Sequence, residues 1–314
     1  MLPLFDQPDF DRDRLAERLR ALAAEHIYIG GSSWKYEGWF GQVYSRANYL
    51  AKGRYSKRLF EDTCLREYAQ TFPTVCGDFS FYQFPMEEYW ARLFRHAPEG
   101  FRFAFKAPEQ ITCRVFPAHA RYGAQGGREN ESFLDAEMLQ RMFLRPLAPY
   151  RSKTALLIFE FGAFPKRAIP HVGAFVERLH PFLAALPREM RYAVEIRNPE
   201  FLAPEYFECL REHGAAHVYN AWTRMPELRE QIRIPGSVTA DFTVCRALLR
   251  RGRAYEDAVA AFQPYAEVRD VNPEARESMR ALVTRAREER RMVFLFVNNR
   301  LEGNAPATIL SIVD

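Results

Sequence analysis

Eight short runs rich in β-branched and aromatic residues recur along the 314-residue chain, seven of them separated from the next by a helical pattern. The predicted strands are Ile27 to Gly31, Thr74 to Phe81, Phe101 to Lys106, Thr154 to Glu160, Arg191 to Ile196, Ala216 to Asn220, Ser237 to Phe242 and Met292 to Val297. Helical spacing is predicted before the first strand, over Asp11 to Ala24, and between strands, as in Leu59 to Thr71, Pro204 to His213 and Asn272 to Glu289. A final helix runs over Ala305 to Val313. Strict alternation of strand and helix demands parallel strands, and eight units favour closure. The expected fold is α/β, a single (β/α)8 TIM-like barrel with an N-terminal extra helix and long loops after strands 1 and 3. No linker rich in Pro, Gly or Ser divides the chain, so residues 1–314 are expected to form one domain, with an extension and helix over 1–26 and the barrel over 27–314.

Composition supports a globular chain: 48% hydrophobic, 14% aromatic and 27% charged residues. No apolar run reaches the roughly 18 residues that span a membrane, and the N-terminus lacks a basic stretch followed by an apolar core, so no membrane partner and a cytoplasmic location are expected. The five cysteines contain no C-x-x-C pair and suggest buried thiols. A net charge of +4 is too mild to call a nucleic-acid partner. Three basic groups exist, around Lys52 to Arg58, Arg246 to Arg253 and Arg285 to Arg291, and the third is interleaved with Glu288 and Glu289 like a solvated helix face.

Parity along the strands nominates the site. In Phe101-Arg102-Phe103-Ala104-Phe105-Lys106 the three phenylalanines share a face that belongs against helices, so Lys106 should point into the barrel near the strand's carboxyl end. The same reasoning groups Cys76, Asp78 and Ser80 on the second strand, and Glu195 with Arg197 on the fifth. Glu160 ends the fourth strand, Asp241 the seventh, and Asn298 and Asn299 the eighth. Charged residues inside a closed barrel need partners or a purpose, and the carboxyl-terminal rim is where barrels of this kind place chemistry. Lys106 paired with Glu195 or Glu160 could equally be an ion-pair network that satisfies only its own charges. Gly30 and Gly31 allow a backbone or a ligand to approach closely, and Trp34, Tyr36, Trp39 and Phe40 crowd the loop that follows, as packing or as a ligand platform involving Ser33 and Trp34. The stretch from Ala107 to about Asn130, with Gly123, Gly126 and Gly127, reads as a functional lid or a disordered insert.

Taken in order, Gly30-Gly31-Ser32-Ser33-Trp34-Lys35-Tyr36 with Trp39, Phe81-Tyr82 with Pro85, Gly100 through Pro108, Ala193-Val194-Glu195-Ile196-Arg197-Asn198-Pro199 and Phe296-Val297-Asn298-Asn299 resemble the YecE-like family of bacterial proteins, a domain of unknown function with a TIM-barrel-like fold. The resemblance spans nearly the whole chain and implies the fold but no reaction. Its polar motif residues are Ser33, Trp34, Tyr82, Lys106, Glu195, Arg197, Asn298 and Asn299. The chain departs from the family pattern where V-E-I-N-S-T-F-Y becomes Val75 to Tyr82, where Q-L-P-P becomes Glu160-Phe161-Gly162-Ala163, and where a histidine becomes Asn198.

The expected function is an enzyme or ligand-binding barrel for a small polar or anionic molecule. Lys106 and Arg197 would bind negative charge, and Glu195 or Glu160 would act as base or acid. Glycoside hydrolysis by Glu160 and Asp241 with Trp34 or Trp222 as a sugar platform is an alternative. So is Mg or Mn chemistry on Asp78, Glu160, Glu195 and Asp241. A non-catalytic, nucleic-acid-associated module is a third. None of the seven histidines ends a predicted strand, which argues against zinc or iron, and the absence of nucleotide-loop and G-x-S-x-G motifs gives no reason to expect an organic cofactor.

Overall fold

Residues 10–118 and 120–314 are described in the computed structural model of the chain, which leaves the first nine residues and His119 outside the description. Eight parallel strands close a barrel: β1 (Ile27–Gly31), β2 (Thr74–Gly77), β3 (Arg102–Lys106), β4 (Thr154–Phe161), β5 (Tyr192–Ile196), β6 (Ala216–Ala221), β7 (Phe242–Ala247) and β8 (Met292–Val297). Each pairs with its sequence neighbours, and the seam joins β1 to β8 from Ile27 beside Val293 to Gly31 beside Val297. Among the described residues no helix is long and apolar enough to cross a membrane.

The strands bury both faces, as closure requires. Outward residues such as Phe103, Phe105, Leu157, Val194 and Leu295 join the main core under the helices, where Phe105 meets Trp90 at 4.8 Å and Phe103 meets Phe94 at 5.1 Å. Inward residues form a separate apolar core: Cys76, Ala104, Leu156, Ile158, Ala193, Val218, Val244, Phe294 and Phe296 among them. Two residues further along each strand, the same inward parity reaches the carboxyl-terminal end. There it falls on Asp78, Lys106, Glu160, Glu195, Asn220, Arg246 and Asn298. The barrel is thus filled with apolar side chains below and capped by a polar layer.

Gly30 shows why the seam needs glycine. A Cβ on it would sit 2.0 Å from the carbonyl oxygen of Thr74, so β1 and β2 approach through backbone alone. The close approach at this position is between strands. The extra helix, Arg12–Ala24, is capped by the Asp11 side chain and buries Leu15, Leu19 and Leu22.

Several expected elements differ. The second strand ends at Gly77, and Phe79–Tyr82 forms a helical turn entered by Asp78 in the right-handed helical conformation. Strand parity therefore does not extend to Ser80, whose hydroxyl bonds the Lys106 carbonyl at 2.7 Å. The predicted helix over Glu131 to Tyr150 is instead a succession of short helical pieces from Ala136 to Lys153. A helix at Tyr255–Phe262 was not expected. The stretch after β3 is folded: Val115 pairs with Glu129, and the Asn130 amide bonds the carbonyls of Gln110 and Cys113, both at 2.7 Å.

The largest correction is β7, which begins at Phe242, where the predicted strand ended. The residues before it are connection: Ser237 bonds Tyr219 at 3.0 Å and Thr239 bonds the Ala215 carbonyl at 2.7 Å, so side-chain bonds to β6 and the residue before it take the place of a ladder there.

Candidate active site at the carboxyl-terminal rim

Lys106, Glu160, Glu195 and Arg197 do converge, joined by Asp78 and by Arg246, a member of the second basic group. Lys106 Nζ lies 2.9 Å from Glu160 Oε2 and 3.7 Å from Asp78 Oδ1. Arg197 Nη2 lies 3.0 Å from Glu160 Oε1 and 3.1 Å from Glu195 Oε1, and its Nε donates to the same Glu195 oxygen at 3.2 Å. Arg246 Nη1 donates to both Glu160 Oε2 and Glu195 Oε2, while its Nη2 reaches Asp78 at 3.4 Å. Three cations and three carboxylates thus form one connected group.

Its members are not equally enclosed. Glu195 and Arg246 lie at the floor, while the Asp78 side chain is 31% exposed and Arg197 14%. Aromatic rings cover the two outer cations. Lys106 Nζ sits 3.7 Å from the Phe81 ring centroid, and the Arg197 guanidinium 3.7 Å from that of Trp222. Both rings are partly exposed. Tyr36 stands close by: burial raises its phenol to about 12, with Asp78 adding to the rise and Arg300 and Ser33 opposing it.

Electrostatics fixes one ionisation state. Burial alone would push the Glu160 carboxyl up, but Arg197, Lys106 and Arg246 together outweigh it and hold it well below the usual carboxylate range. Glu160 is therefore an ionised carboxylate near neutrality and offers no proton. Burial alone would lower the Arg246 guanidinium; Glu195, then Cys76, Glu160 and Asp78, hold it well above its ordinary value. Beneath the group, burial raises the Cys76 thiol to about 12.

Other nominated residues have different places. Asp241 is an exposed residue immediately before β7, at the amino-terminal end of the barrel beside Tyr192 and Gly214. The five-residue error in β7 put it at the rim and hid Arg246. With Asp241 absent from the rim, the proposed carboxylate pair with Glu160 does not exist, and the oxygen-ligand set loses a member while the other three carboxylates carry cations. Trp34 is buried, edge-on to Phe79 at 6.3 Å, and borders a crevice with Leu65, Tyr89 and Leu93, on the helix side of the wall. It packs the loop. Trp39 does likewise.

Asn298 and Asn299 hold the seam. Asn298 donates to Ser32 and caps the turn through Arg300 N at 2.9 Å; Asn299 accepts from Trp39 Nε1 at 3.3 Å and Ala305 N at 2.7 Å. Tyr82 is 60% exposed, with the Arg121 guanidinium 4.8 Å from its ring. Arg246 was legible from Phe242-Thr243-Val244-Cys245-Arg246-Ala247, whose parity matches that of Lys106, but only in the right register. The basic groups are largely neutralised: Arg250 and Arg253 share Asp270, Arg251 meets Glu230, and Arg285 and Arg291 share Glu289.

Comparison with known proteins places the chain in a family. The chain is 33% identical over 141 residues to UPF0759 protein YecE of Escherichia coli strain K12, an alignment spanning 45% of this chain and 44% of that protein. It thus spans under half the length of the curated relative. A crystal structure of a DUF72 family protein from Thermotoga maritima superposes with TM-score 0.59 at 21% identity, over 91% of this chain and 97% of that one. Another from Enterococcus faecalis gives 0.57 at 19%, over 91% and 95%. These likenesses concern the fold alone. The family model described as protein of unknown function DUF72 matches residues 28–314, and the chain belongs to that family.

Proposed function

We propose that the carboxyl-terminal mouth of the barrel binds a small, polar, anion-bearing molecule, with Lys106 and Arg197 receiving its negative charge and Asp78 with Lys106 supplying acid–base chemistry. The observation that carries this reading is the gradation within the charged group: Glu195 and Arg246 are shut in, while Asp78 and Arg197 reach solvent between the rings of Phe81, Trp222 and Tyr36. Charged groups withdrawn from water, as Lys106, Glu160, Glu195 and Arg246 are, cost several kcal/mol each before their pairing offsets it, and apolar layers stabilise a barrel without that cost. A prepositioned set of charges is, by contrast, what a polar ligand requires, because their orientation is settled before it arrives.

Glu160, held ionised, cannot serve as the acid, so it fixes Lys106 and Arg197 in place. Asp78 is the outermost carboxylate and lies 3.7 Å from the Lys106 ammonium. That pair can accept and return a proton on a bound ligand. The partly exposed rings add flat apolar walls, suiting a ligand whose carbon face stacks while its polar edge meets the charges.

A thermal-shift panel of sugar phosphates, dicarboxylates and hydroxy acids tests this. At least one class should raise the unfolding midpoint of the wild type by several degrees, and Lys106→Met, checked for an intact circular-dichroism spectrum, should lose that response. If no class stabilises the wild type, or folded Lys106→Met responds equally, the reading fails.

A further inference from the structure

At the opposite end of the barrel, the helices following β4 and β5, Val172–Ala184 and Pro204–Glu212, lie against each other and bring three metal-ligating side chains together. His180 Nε2 is 3.0 Å from Glu212 Oε2, and the rings of His180 and His213 stand edge to face with centroids 4.5 Å apart. One ligand atom from each of the three lies within 4.8 Å of the others. Nε2 of His213 is shielded from solvent and has no hydrogen-bond partner among the described residues. A buried imidazole nitrogen left unpaired is costly, and a cation offers the partner the protein does not.

We propose that His180, Glu212 and His213 bind one divalent transition-metal ion of the zinc type, which clamps the two helices on the outer face of the barrel. Two imidazoles and one carboxylate are a recurrent zinc donor set, with water completing the tetrahedron. The observed nitrogen-to-oxygen separation is close to the edge of a tetrahedron with bonds of about 2.0–2.1 Å, roughly 3.3 Å. The expectation against zinc rested on histidines at strand ends; these two meet across helices instead, where neither lies near its partner in sequence. The site adjoins a cavity of about 530 Å³ bordered by Arg188, Tyr192 and Asp241, away from the charged rim. It lies at the amino-terminal face, where barrels carry stability more than chemistry.

The test is calorimetric titration of zinc chloride into the tag-free, chelator-treated full chain. Wild type should take up one ion per chain with micromolar or tighter affinity, and zinc should raise its unfolding midpoint. Loss of even an outer-shell partner commonly costs about 10- to 100-fold, so His180→Ala and Glu212→Gln should each weaken binding by at least about tenfold. Both residues are exposed, so these variants should fold, and His96→Ala should bind like wild type. Absence of saturable binding, or equal affinity in His180→Ala and wild type, would overturn the proposal.

Discussion

Arg246 of β7 donates from one guanidinium nitrogen to Glu195 of β5, a residue 51 positions earlier whose side chain is wholly buried. This contact, skipping over β6, ties the charged floor together. Removing Arg246 leaves Glu195 with Arg197 as its remaining cation, in an interior that solvates the uncompensated charge poorly.

Arg246→Met should therefore destabilise the chain by about 3–5 kcal/mol, the range typical of breaking a buried pair. The double variant Arg246→Met/Glu195→Met should be less destabilised than the sum of the two single changes, since both charges leave together. Urea unfolding of the four proteins measures this. Strict additivity would mean that the two side chains are not coupled.

The Glu160 carboxyl is depressed in the folded chain, so its contribution is present above the unfolded carboxylate pKa, about 4.3, and is lost as pH falls through the lower folded value. Between pH 5 and 3 wild type should lose more stability than Glu160→Gln, whose curve should be flatter. A Glu160→Gln curve as steep as wild type would contradict the charge assignment.

His217 gives the second pH signature. It lies outward from β6, its Nδ1 3.1 Å from the Tyr206 hydroxyl, and burial lowers its pKa to about 3. With an unfolded value near 6.5, stability is fully present above that pH and declines below it, by about 2 kcal/mol at pH 5. His217→Phe should remove that decline between pH 7 and 5. The check is chemical denaturation at both values.

Gly30→Ala places a methyl 2.0 Å from the Thr74 carbonyl oxygen, a backbone atom that cannot swing aside. Overpacking of this kind costs about 1–3 kcal/mol, and at a barrel seam the upper end is expected. Soluble yield and unfolding midpoint should both drop, and an unchanged midpoint would mean that β1 and β2 relax freely.

Strand periodicity made the barrel legible because each strand is flanked by helices and carries alternation or an apolar run of the right length. It also found Lys106, Glu195 and Glu160, since a charge on the inward face of a buried strand stands out. Arg246 escaped because Ser237 to Asp241 looks β-prone, while its side chains actually bond Tyr219 and the Ala215 carbonyl. A five-residue shift then exchanged Asp241 for Arg246. Trp34 stayed open between packing and ligand platform for a different reason: an aromatic loop has no parity, and whether a ring faces helices or mouth is decided by tertiary packing. The pairing of His180 with His213, 33 residues apart in sequence, depends on two helices lying side by side, which no local pattern encodes.

The central claim is that the rim receives an anion-bearing ligand through Arg197, the cation nearest solvent beneath Trp222. Its most direct measurement is calorimetric titration of the best stabilising compound into wild type and Arg197→Gln, both verified as folded. An ionic contact of this kind is worth about 1.5–3 kcal/mol, so the variant should bind at least about tenfold more weakly. Equal affinity in the two proteins would contradict the account.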